Sequence, residues 1–157
     1  MMADTAQGKI IDAFKALFEA DSDLSGIGII TDRSPDEAIA DEEIPCIVIS
    51  TEAWGFQNDF SQGQTRHELL INFEYIESSA NVGIIGRKAQ EVIAYMLAAI
   101  GSDPTLGGRL EDFDERDVAP PMDNGKSIGG SSLQGLCTFY TPRRDHFTIV
   151  GVGGATF

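Results

Sequence analysis

Oxygen donors at loop positions 1, 3 and 5, glycine at 6 and a carboxylate at 12 are the pattern of a Ca²⁺-binding loop. Asp21-Ser-Asp23-Leu-Ser25-Gly26 with Asp32 reproduces that order behind an amphipathic stretch. The rest of the pattern fails. Position 8 is Gly28 rather than an apolar residue, position 9 is Ile29, position 12 is Asp rather than a bidentate Glu, and Pro35 interrupts the exit helix. A helix-terminating turn with solvated carboxylates is the favoured reading, with a metal set of Asp21, Asp23, Ser25 and Asp32 as the weaker alternative. The run Glu111-Asp-Phe-Asp-Glu-Arg-Asp117 is also rich in metal-capable oxygens. Strand alternation would set several of them on one solvent face, so an acidic surface is favoured over a cation site.

Catalytic constellations are absent from the spacing. The two histidines, His67 and His146, form neither HxxxH nor HExxH and read as structural residues. No serine lies in a GxSxG elbow, and neither Cys46 nor Cys137 has a histidine close in sequence. The two cysteines, 91 positions apart in apolar runs, read as buried thiols of a reducing compartment. Gly26-Ile-Gly28 lacks the third glycine of a dinucleotide loop; Gly107-Gly108 and Gly129-Gly130 lack the Lys-Ser/Thr of a phosphate loop. The expectation is a protein without catalytic residues or cofactor.

Charge narrows the partners. The chain has 157 residues with 25 acids against 11 bases, a formal net charge of −14. Such a chain has no basic field for a phosphate backbone or an anionic membrane. The acidity is uneven: residues 1–60 hold 13 acids against 3 bases, and residues 101–121 hold 6 against 2. The opening MMADTAQGKI lacks the basic start and apolar core of a signal peptide, which predicts a cytoplasmic chain.

Hydrophobic periodicity supplies the elements. Ile10, Ile11, Phe14, Leu17 and Phe18 mark an amphipathic helix over about Thr5–Ala20, with Thr5 as N-cap. A short strand over Ile27–Thr31 follows, then a brief helix start at Ser34-Pro-Asp-Glu37. Pro45–Thr51 is apolar on both faces, like a strand near a sheet centre. In Thr65–Ile76, His67, Leu69, Ile71, Phe73 and Tyr75 face one way, and Glu68, Leu70, Asn72 and Glu74 the other. Trp54–Gln64 reads as a long hairpin excursion. Ile85, Ala89, Val92, Ile93, Met96 and Ile100 stripe a second helix that Gly101 stops. Weaker strands are expected over Arg109–Val118 and Ser131–Thr141. The chain then predicts one α+β domain: a mostly antiparallel four- to five-stranded sheet with two main helices on one face. Its core spans about residues 5–142, leaving 143–157 for an extra strand and a mobile tail or assembly arm.

With these pieces in place the chain resembles the tail terminator (tail completion) proteins of long-tailed bacteriophages and prophages. The resemblance spans roughly residues 8–142. It rests on the helix Ile10–Ala20, on Glu43-Ile-Pro-Cys-Ile-Val-Ile49 entering a β-branched strand, on Arg66-His-Glu-Leu-Leu-Ile-Asn-Phe73 and on the helix Ala89–Ile100. Its most particular piece is Asp103-Pro-Thr-Leu-Gly-Gly108, leading into an acidic strand and a final strand that ends near Tyr140-Thr-Pro. The family, as this resemblance implies, builds an antiparallel sheet with helices on one side. It assembles into a homo-oligomeric ring, commonly a hexamer, on the finished tail tube, stopping polymerisation and offering a surface to the head–tail connector. The implied partners are further copies of the chain, the tail tube protein and the connector. The implied location is the virion tail, reached from the bacterial cytoplasm. A connector or neck protein is the neighbouring reading, and a Ca²⁺-binding interaction module or a small enzyme with an acidic pocket is more distant.

Within that expectation, Trp54, Phe56 and Phe60 on a polar excursion suggest a subunit or tube contact, against the plainer alternative that they fold back on their own sheet. Arg143 and Arg144 could pair with a neighbour's acidic strand. Six copies would carry a charge of about −84, enough for an acidic wall that lets a DNA genome slide past. The candidate lumen acids are Asp36, Glu37, Glu42, Glu43, Glu111, Asp112, Asp114, Glu115 and Asp117.

Overall fold

The computed structural model describes residues 4–31, 39–59, 63–78, 82–123 and 128–157. Helix α1 (Ala6–Glu19) starts where Thr5 Oγ1 accepts the Gly8 N–H at 3.1 Å, which satisfies one of the helix's orphan amides. Its row Ala6, Ile10, Phe14 and Phe18, spaced by four, is fully buried, while Ile11 and Leu17 are half-buried at its margin. The acidic turn behind it is a 3-10 helix, Ser22–Leu24. Asp21 caps it by accepting the Asp23 N–H at 2.8 Å, and Leu24 is driven into the core.

Strands β1 (Gly28–Ile30), β2 (Cys46–Asp59), β3 (Gln64–Ser78), β4 (Asp112–Asp123) and β5 (Ile128–Pro142), with helix α2 (Val82–Ser102) between β3 and β4, complete the domain. The sheet order is β1-β2-β3-β5-β4. Every pairing is antiparallel except β1–β2, which is parallel, so the sheet is mixed at that edge. The sequence's helix start at Ser34–Glu37 lies outside the described residues.

Alternation on β3 holds as read. Leu69, Ile71, Phe73 and Tyr75 are buried toward the helices, and Glu68 and Glu74 are exposed on the helix-free face. Phe14 meets Phe73 edge-on at 5.1 Å and Phe113 at 5.6 Å. Val92, Met96 and Ile100 of α2 join the same core, so both helices cover one face. Among the described residues no helix is long and apolar enough to cross a membrane.

Two expectations are corrected. Residues 54–59 belong to β2, and β3 resumes at Gln64: the hairpin is two long strands rather than an irregular excursion. Its polar residues are carried on paired strands, Asn58 accepting from the buried Thr65 hydroxyl at 2.8 Å, so composition alone misleads. The final segment is not a loose tail. Val150 bridges Tyr140 and Thr156, Ile149 and Phe157 exchange both backbone bonds (3.2 and 3.0 Å), and the Val152 N–H donates to Gly108 O at 2.8 Å. Ile149 is fully buried, and the Arg109 guanidinium lies 4.5 Å over the Phe157 ring. These partners come from positions 108–109 and 140, too distant in sequence for a local reading to supply.

Candidate assembly surface

A single extra residue decides which way the hairpin's aromatics point. Thr51 pairs with Ile71 but Ala53 pairs with Leu70, so Glu52 is a bulge that reverses the alternation of β2. Beyond it Trp54 pairs with Leu69, Phe56 with His67 and Asn58 with Thr65, all on the helix side of the sheet. Without the bulge both rings would stand on the opposite face.

There they meet both histidines. The Trp54 indole N–H donates to His67 Nδ1 at 3.0 Å, so that nitrogen carries a lone pair and the proton sits on Nε2, which donates to Thr141 Oγ1 at 2.9 Å. His67 is fully buried, stacked on Phe139 (centroids 4.6 Å, 3°), and the Trp54 ring that donates to it runs near-parallel at a 6.0 Å centroid separation (7°). His146, on the turn after β5, stands edge-on to His67 at 4.9 Å, to Phe56 at 5.4 Å and to Trp54 at 5.8 Å. Burial, then the neighbouring His146, pulls the His67 pKa down to about 4, and the ring is neutral at pH 7.

The turn that carries His146 is pinned. Its carbonyl accepts the Ala6 N–H at 2.7 Å, and Asp145 Oδ1 accepts the Phe147 and Thr148 N–H groups at 3.0 and 3.3 Å. These bonds, Phe147's foremost, hold the Asp145 carboxyl below the usual range. A shallow cleft beside the cluster is lined by Thr5, Gln7, Thr51, Trp54, Leu69 and His146. Trp54 is still 45% exposed and Phe56 55%, and Phe147 nearby in the chain is exposed as well. Each ring therefore packs one side on its own sheet, as the plainer reading has it, and presents the other to solvent.

The remaining candidates scatter. Phe60, Asp32, Asp36 and Glu37 lie outside the described residues. Arg143 and Arg144 are exposed at the hairpin tip, where the Arg143 N–H donates to Gly63 O at 3.0 Å and Arg144 takes a left-handed φ of 66°. Glu42 is exposed and Glu43 half-buried on a 3-10 turn (Asp41–Glu43) ahead of β2. Glu111 precedes β4, and Asp112, Asp114, Glu115 and Asp117 lie along it. All five are exposed, with Asp114 paired to Arg116 at 3.0 Å. Among the described residues no three His, Cys, Asp or Glu side chains are grouped to hold a metal ion.

The histidines are the residues that sequence reasoning passed over. Alternation already put His67 on the apolar face, and a buried imidazole must find partners for both nitrogens. That was the available signal. The bulge, and the return of His146 from 79 positions away, were not visible.

No protein-family model matches the chain, and no curated protein is significantly similar to it in sequence.

Proposed function

We propose that this chain is a structural, non-catalytic subunit of a ring that caps a bacteriophage or prophage tail tube, ends its polymerisation and offers the head-joining surface. The tail assignment rests on the sequence resemblance. The observation that carries the ring is the pair of open edges at opposite ends of the sheet. Among the described residues, no strand pairs with the outer side of β2 beyond Val48 or with the outer side of β4.

Geometry favours joining one copy's β4 to the next copy's β2. From β2 through β3 and β5 to β4 each neighbour is antiparallel, so β4 runs opposite to β2. A second copy added edge to edge in the same orientation pairs antiparallel, as every strand within that part of the sheet does. Such a contact is head-to-tail and closes into a ring if the rotation allows. The heights agree: Asp112, Thr138, Glu68 and Gly55 lie in one cross-strand row, and Asp117, Gln134, Asn72 and Ser50 in another. The acidic stretch of β4 thus comes level with β2 residues 50–55, Glu52 among them, while Arg66, level with Gln57, and Arg143 and Arg144, past the Gln64–Pro142 row, lie further toward the hairpin tip. Trp54 and Phe56 flank the same joint. Acids on the β4 edge would also discourage indiscriminate pairing before assembly.

The test is electron microscopy of the protein mixed with polymerising tail-tube subunits, alongside native mass of the protein alone. Tubes of limited length with capped ends are expected, and Trp54→Ala with Phe56→Ala should abolish the caps while leaving the monomer folded. Tubes that grow without caps would refute the terminator. Rings that bind a head connector but never a tube would move the protein to the neck.

A further inference from the structure

We infer that His67 is a latch for Trp54: the neutral imidazole holds the indole against the sheet, and protonation of the imidazole releases it, so that the surface carrying Trp54 and Phe56 has two pH-dependent arrangements. The inference concerns the isolated chain and does not rest on the ring reading.

The hydrogen-bond inventory leaves the imidazole no way to take a proton and keep its contacts. Nδ1 can accept from the Trp54 N–H only through its lone pair, and Nε2 already donates to Thr141 Oγ1. A proton on Nδ1 sets two N–H donors against each other at 3.0 Å. One partner must move. His67 is fully buried and stacked on Phe139 on a central strand, whereas Trp54 is 45% exposed at the free side of β2. Swinging the indole outward leaves the core intact and lets water reach the charged ring; moving His67 would break the Phe139 stack and the Thr141 bond. The cheaper motion is therefore that of Trp54.

The groups facing the imidazole make the proton unwelcome while the latch is closed. Strand β2 contributes Trp54 and Phe56, β5 contributes Phe139 and Thr141, and β3 itself contributes Thr65 and Leu69 on the same face. The start of α1 brings Thr5 and Gln7 to the adjoining cleft. The one titratable group among these neighbours is His146, edge-on at 4.9 Å, whose own positive charge would oppose a second. No described carboxylate faces the ring to stabilise the charge, in line with the depressed titration at about pH 4.

Trp54 is the chain's single tryptophan, so its emission reports this contact alone. Emission wavelength and iodide quenching are followed in the full chain from neutral pH to below the His67 titration, with far-UV circular dichroism recorded on the same samples. The expected result is a shift to longer wavelength and a rise in quenching through about pH 4, at constant dichroism. In His67→Asn, whose side-chain oxygen can still accept from the indole but does not titrate, emission should stay flat over the range. An unshifted wild-type emission across the titration, a shift that persists in His67→Asn, or a shift that coincides with loss of dichroism would each overturn the latch. Should His67→Asn fail to fold, His146→Gln decides the matter. Removing the opposing charge must move the wild-type midpoint to higher pH, and an unmoved or lower midpoint refutes the inference.

Discussion

Replacing Gly135 by alanine tests how the acidic edge strand is fastened to the domain. Gly135 lies on β5 opposite Glu115 of β4, and the Phe113 ring crosses the space where its side chain would stand. A methyl built there falls 2.5 and 2.9 Å from Phe113 Cε2 and Cε1 and nearer still to Cζ, closer than folded proteins tolerate. In a strand, Gly→Ala ordinarily gains about 0.5–1 kcal/mol from backbone entropy, so the sign of the effect is itself diagnostic. Overpacking costs about 1–3 kcal/mol where neighbours can shift. Here the ring that must shift is the buried anchor of β4, in contact with Phe14 at 5.6 Å and Phe73 at 6.3 Å. Full loss of such a side chain costs about 3–5 kcal/mol, which bounds the damage from above. Gly135→Ala should therefore destabilise by about 2–4 kcal/mol. The assay is urea unfolding followed by far-UV circular dichroism, run as a double-mutant cycle with Phe113→Ala. In the Phe113→Ala background the alanine meets no ring and should cost under about 0.5 kcal/mol, giving a coupling of about 2 kcal/mol or more. A neutral Gly135→Ala, or a cost that adds in full to that of Phe113→Ala, would refute the packing argument.

Other consequences follow from the same contacts. His67 titrates at about pH 4 in the fold against 6.5 for a free imidazole, so between those values the unfolded chain binds the extra proton and stability rises with pH. Acidification from pH 6.5 to below 4 should remove up to about 3 kcal/mol, less whatever Trp54 release recovers, and urea midpoints of His67→Asn should lack this slope. Phe157→Ala removes the ring under Arg109 and should cost about 1 kcal/mol by thermal unfolding, whereas an unperturbed midpoint would return the segment to the status of a loose tail. For the proposed ring, reversing Asp112, Asp114, Glu115 and Asp117 to lysine separates two roles for the acids. Loss of rings by native mass places these side chains in the joint between copies; intact rings with slowed DNA ejection place them on the channel wall.

The sequence carried the parts of the fold that repeat. Ile10, Phe14 and Phe18 on α1, Val92, Met96 and Ile100 on α2, and Leu69 to Tyr75 on β3 are buried as their spacing predicts, because each period is fixed by backbone geometry. Thr5 caps α1 for an equally local reason. What escaped was set by single residues or distant partners. One inserted position, Glu52, turns Trp54 and Phe56 onto the helix face, and nothing in a run of polar and aromatic residues marks where alternation skips. The parallel β1–β2 pairing needs a partner choice that periodicity does not encode. The C-terminal segment depends on Gly108, Arg109 and Tyr140. Of the candidate surface, the aromatics were legible by type; His67 was legible only as a buried polar group in need of a partner, and the approach of His146 was not legible at all.

The distribution of charge links these local devices to assembly. Copies of a chain at −14 repel one another, and the repulsion acts beyond contact until salt screens it at a Debye length of about 8 Å. An ion pair at a joint contributes only about 0.2–1 kcal/mol when exposed, so Arg66, Arg143 and Arg144 could not by themselves hold acidic subunits together. In register, the acids of β4 come level with Ser50 to Gly55 of β2, Glu52 among them, while Arg66, Arg143 and Arg144 stand nearer the hairpin tip, so the join does not set base beside acid. In the proposed ring, cohesion would then come from backbone pairing along the edges and from apolar area, which Trp54 and Phe56, each about half exposed, would supply. In that ring, a histidine that controls the seating of Trp54 would thus control the part of the surface able to overcome the charge, and the acid surplus would leave little else on the edge able to do so.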